Sequence, residues 1–121
     1  MTVYINGVAQ GNGGNVSYTE LDGSVNTTAS ALGLGDGEWG NWDLSGSLPE
    51  GVFEIDIMVE KLAANDFIGC RKNGSALTRR QRALKAQILT FPIEVGADRI
   101  VNIMSNDVSD SDVFSLMGYW S

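Results

Sequence analysis

Fifteen carboxylates, one thiol and no imidazole make up the reactive side chains of this 121-residue chain. Without histidine there is no ordinary general base, no imidazole metal ligand and no partner for a serine or cysteine nucleophile. Cys70 stands alone, forms no internal disulfide and reads as a small buried apolar side chain. Two carboxylates would suffice to cleave a glycoside, but a chain this small leaves little room for a deep cleft around a sugar ring. No enzymatic activity is expected. Asp107, Asp110 and Asp112 fall within residues 106–112, a spacing of oxygen ligands that suits Ca²⁺. The stretch lacks the glycine and the closing glutamate of an EF-hand loop and reads as a solvated turn. Neither metal nor cofactor is expected.

Charge is the stronger signal. The formal net charge is −7, yet Arg71, Lys72, Arg79, Arg80, Arg82 and Lys85 are six of the eight basic residues. Residues 71–85 contain no Asp or Glu and carry +6, which leaves −13 on the rest. An acidic body repels phosphates, so nucleic-acid binding is not expected. A concentrated basic segment suits docking onto an acidic protein surface, or head-to-tail contact between identical subunits. Its value would come from several arginines pairing together, because one exposed ion pair contributes only ~0–1 kcal/mol. Trp39 and Trp42, with Tyr119 and Trp120, are candidates for stacking on a sugar ring. The competing role is packing in the core and at strand edges.

These residues must be held by β-structure. The length suits one domain. No stretch approaches the ~20 apolar residues of a membrane span. The N-terminus lacks the basic and apolar regions of a secretory signal. The chain therefore reads as complete and soluble. Residues 1–51 hold eleven of the fifteen glycines. Residues 1–38 read as an extended, glycine-rich arm, with a short strand before an Asn6-Gly7 turn and one helical turn near 27–34. Residues 39–121 read as the domain proper. Strands are expected near 39–44, 52–60, 67–71, 99–105 and 113–120, and the alternation of Phe53, Ile55, Ile57 and Val59 with Glu54, Asp56, Met58 and Glu60 is the strongest. Lys72-Asn73-Gly74-Ser75 and Leu48-Pro49-Glu50-Gly51 are turns. Residues 76–87 fit either a helix or a basic loop leading into a strand at 86–95, where Pro92 calls for an edge or a bulge. Short strands with turns between them predict an all-β, antiparallel β-sandwich or jelly roll with a loop-rich N-terminal segment.

Several motifs, in order, carry a family likeness. They are Trp42-Asp43-Leu44-Ser45, Leu48-Pro49-Glu50-Gly51, Gly69-Cys70-Arg71-Lys72-Asn73-Gly74-Ser75, Ala97-Asp98-Arg99-Ile100 and Phe114-Ser115-Leu116-Met117-Gly118-Tyr119-Trp120. Residues 39–120 resemble the small β-sandwich domain of tailed-bacteriophage virion proteins, which occurs in capsid decoration (cement) proteins and in tail-fibre modules. The Arg-rich stretch 76–87 departs from the uninterrupted link usual there. The resemblance implies a virion structural protein made in the bacterial cytoplasm and bound to the outer surface of the capsid. The major capsid protein is its implied partner, and a homo-oligomer, favoured as a trimer, its implied state. A receptor- or carbohydrate-binding module of a tail or head fibre is the alternative. Under the first reading the six basic residues form a capsid or subunit interface. Under the second, Trp39 and Trp42 would contact glycan.

Overall fold

A computed structural model of the chain describes residues 16–62 and 65–121, and the backbone of two short strands before them. In chain order the strands are β1 (Tyr4–Ile5), β2 (Val8–Ala9), β3 (Tyr18–Glu20), β4 (Asn26–Thr28), β5 (Gly40–Asp43), β6 (Glu54–Glu60), β7 (Asp66–Lys72), β8 (Arg80–Ala83), β9 (Ile88–Glu94), β10 (Ile100–Ser105) and β11 (Val113–Trp120). One 3₁₀ turn, Val108–Asp110, precedes β11.

Period-2 alternation decides which way each strand faces. Ile55, Ile57 and Val59 of β6 are fully buried, as are Phe114 and Leu116 of β11. Phe91 and Ile93 of β9 join them, so three neighbouring strands present one apolar face. Burying a side chain of this size contributes roughly 1.5–3 kcal/mol, so this face outweighs any single polar contact on the molecule. The opposing sheet supplies Trp42, Ile68, Cys70, Val101 and Ile103 to the same core.

The result is two antiparallel sheets packed face to face, the all-β sandwich that the strand pattern predicts. One sheet has the order β5-β10-β7-β8. The other has the order β3-β11-β6-β9, and β4 also pairs with β11. Pro92 sits on β9, an edge strand, where its missing N–H costs no ladder bond. Between β7 and β8 the Asn-Gly turn forms as expected, with Gly74 at φ +83° and Ser75 N–H donating to the Lys72 carbonyl at 3.1 Å.

Of the two readings left open for residues 76–87, no helix forms; the basic segment leads into the strand β9 and itself holds the short strand β8, whose Arg80, Gln81 and Arg82 are exposed. An exposed strand gains little from helix propensity once its backbone can pair with β7 from Gly69 to Asp66. The boundary at residue 38 also does not separate an arm from the sandwich over the described residues. Strands β3 and β4 pair along β11, and Leu21, Val25, Leu32 and Leu34 pack against the core. The near-helical turn after β4 is real but single, with the Thr28 hydroxyl accepting from Ala31 N–H at 3.0 Å. The Asn6-Gly7 turn and residues 10–15 of the glycine-rich arm lie outside the described residues.

Candidate functional site: two sheet faces of opposite charge

With Ile68 and Cys70 turned inward, Phe67, Gly69 and Arg71 of β7 face outward, and Arg80 and Arg82 of β8 flank them. The Arg71 guanidinium lies over the Trp39 ring, 4.1 Å from its centroid. It also donates to the Leu77 carbonyl at 2.8 Å and, through Nε, to the Asn102 side chain at 3.4 Å. Asn102 in turn donates to Asn41 at 2.7 Å and to Asn73 at 3.2 Å. The Arg80 guanidinium lies over the Phe67 ring at 4.4 Å. Such stacking fixes an arginine's plane while leaving edge donors available. Gly69 permits this arrangement, because a Cβ there would come within 2.7 Å of the Arg79 carbonyl and would strike the Trp39 ring.

The other basic candidates do not join that face. Arg79 reaches across the edge to the Pro92 carbonyl at 3.3 Å. Lys72 pairs with Glu94 of the opposite sheet at 3.3 Å, with both side chains about half exposed. Lys85 lies in the turn between β8 and β9, its N–H held by the Asn65 side chain. The six residues are therefore split, and Arg71, Arg80 and Arg82 form the basic face. The aromatic candidates split as well. Trp39 is half-buried beneath Arg71, but Trp42 points into the core at 6% exposure and offers no ring to a sugar. Strand alternation turns Trp42 inward, because Asn41 and Asp43 take the outer side of β5.

The outer face of the second sheet has the opposite sign. Glu54, Asp56 and Glu60 alternate outward along β6, Glu94 lies beside Glu54 on β9, and Glu20 reaches the same face from β3. The basic residues belong to other elements, and Lys72 reaches this face at its edge, where it pairs with Glu94. Partial burial, then the neighbouring charges of Asp56 and Glu94, push the Glu54 carboxyl above its ordinary range. Tyr18 and Trp120 form a tilted ring pair at 4.9 Å on this face. The Tyr18 phenol lies across Gly118 with Asp56 nearby, and its pKa rises through burial and then through that carboxylate.

One buried charged cluster was not legible in the sequence. Lys61, fully buried, sits 2.6 Å from Asp110, 3.0 Å from Asp66 and 3.1 Å from Asp112. Burial alone would lower the lysine pKa, but hydrogen bonds from its ammonium to Asp110, Asp66 and Asp112 outweigh it and hold the group charged. Burial raises the Asp66 carboxyl despite Lys61. Asp112 also accepts from the Ser105 hydroxyl and the Leu62 N–H, each at 3.1 Å. The stretch expected as a solvated turn thus ties its 3₁₀ turn to the end of β6. Asp66, Asp107 and Asp110 bring carboxylate oxygens within 4.8 Å of one another, and the Lys61 ammonium is the cation among them. Cys70 is buried and its thiol is pushed up to about 12, so it is not a nucleophile at neutral pH. Comparison with protein families, with curated proteins and with solved structures finds no match to this chain.

Proposed function

We propose that this chain is a structural protein of a tailed-bacteriophage particle, a decoration protein that binds the outer capsid surface and stabilises the head without catalysis. The observation that carries this reading is the basic face of Arg71, Arg80 and Arg82, with Arg71 stacked on Trp39 and Arg80 on Phe67, on an otherwise acidic sandwich. Arginines already stacked on Trp39 and Phe67 lose less freedom on docking than free side chains, which favours a protein surface rich in carboxylates. That surface is the capsid or a neighbouring subunit. The resemblance of the motifs from Trp42 to Trp120 to those of small virion sandwich domains points the same way. Binding only to the assembled lattice would stabilise it by mass action.

Heads assembled with and without the protein test the proposal. Heads lacking it are expected to burst at lower temperature, and adding the purified protein back should restore resistance. Equal burst temperatures with and without the protein would overturn it.

A further inference from the structure

We infer that the acidic surface fitting the basic face is the outer face of the second sheet on another copy of this chain, so that the protein self-associates head to tail. This rests on the structural role proposed above and names the partner of the basic face. The two outer faces are complementary in sign and similar in kind. One carries Arg71 over Trp39 and Arg80 over Phe67, with Arg82 beside them on β8. The other carries Glu20, Glu54 and Asp56 beside the Tyr18–Trp120 pair, with Lys72 reaching its edge, where it pairs with Glu94. Crowding on the acidic face has a physical mark: Glu54 is held partly toward its neutral form by burial and by neighbouring carboxylates. A guanidinium from a second copy relieves that repulsion, whereas a copy of the same face worsens it. The contact is therefore heterologous and not two-fold symmetric.

Geometry sets the kind of assembly and its strength. The faces lie on opposite sides of a two-layer sandwich, so a contact between them repeats into an open row instead of closing at three copies. A four-stranded face at ~4.8 Å strand spacing and ~3.4 Å per residue, about six residues long, covers about 400 Å². That is well under the ~800 Å² per partner of a standard interface. Self-association is thus weak in dilute solution and strengthens where copies are held side by side on a surface.

Sedimentation of the full chain tests this, from about 10 μM to about 1 mM protein. At about 20 mM NaCl the weight-average mass should rise with concentration and pass that of a dimer. At about 500 mM NaCl, where the Debye length shortens to roughly 4 Å, it should return to monomer. Neutralising either face, by Arg80→Gln with Arg82→Gln or by Glu20→Gln with Glu54→Gln, should weaken self-association at least tenfold. An equimolar mixture of the two variants keeps one intact face of each sign and should form a 1:1 pair that does not grow. All four positions are exposed or half-exposed, and an unchanged circular dichroism spectrum checks the fold. A wild type that stays monomeric at low salt, a mass indifferent to salt, or an effect from one face only would overturn the inference. Because no heads are present, these results stand apart from the burst-temperature test: heads stabilised by a strictly monomeric protein would sink this inference alone.

Discussion

Lys61 bears the largest electrostatic load of any single side chain among the described residues. Three carboxylates surround one buried ammonium. Replacing a buried pair as a whole can be neutral, but removing one partner leaves buried charge uncompensated. Lys61→Met is therefore expected to cost about 3–5 kcal/mol at neutral pH. The pH dependence follows from the carboxylates left behind. Burial already raises the Asp66 carboxyl, and without the ammonium nothing opposes that rise, so the folded variant binds more protons than the unfolded chain. Its stability then grows as pH falls, and the deficit against wild type narrows from pH 7 toward about pH 4, near the ordinary carboxylate range. Urea titrations of both proteins at several pH values read this directly. A deficit that stays constant with pH would mean that Lys61 acts through packing. No local pattern in the chain marks this site. Lys61 follows an alternating strand, and its partners Asp110 and Asp112 lie 49 and 51 residues away.

At the scale of elements, β11 organises the second sheet. It pairs with β6 along its length and with β3 and β4 on its other side. The register shifts between Leu116 and Gly118, so Met117 is the extra residue of a bulge. Beyond the bulge, Gly118 leaves room for the Tyr18 ring to cross the strand; a Cβ there would also come within 2.8 Å of the Thr19 carbonyl. Gly118→Val should displace β3 and cost about 1–3 kcal/mol through overpacking. Hydrogen exchange should show that loss at the amides pairing β3 with β11, with the β6–β9 ladder unchanged. Uniform loss of protection would mean that the bulge supports the whole sheet. Alternation made β6 and β11 readable as strands. It could not reveal that residues 18–28 complete the same sheet, because Tyr18–Glu20 and Asn26–Thr28 are too short and polar to carry a period of their own.

Across the whole molecule, the described residues share one core. Leu21 and Val25 from the N-terminal side pack against the same cluster as Phe114 and Leu116. Thermal unfolding is accordingly expected as one transition, with tryptophan fluorescence and far-ultraviolet circular dichroism changing together. Two separated midpoints would indicate that residues 16–38 form an independent unit. The fold class and the concentration of basic charge followed from the sequence alone, because period-2 alternation and charge counts are local properties of the chain. The separation of that charge onto two faces came from tertiary structure. Arg71 faces outward because Cys70 is drawn into the core. Lys72 and Arg79 are diverted to Glu94 and Pro92 at the sheet edge. Glu20 meets Glu54 and Asp56 only because β3 and β6 both pair with β11. Strand register sets which distant side chains share a face, and register depends on the packing of the whole core.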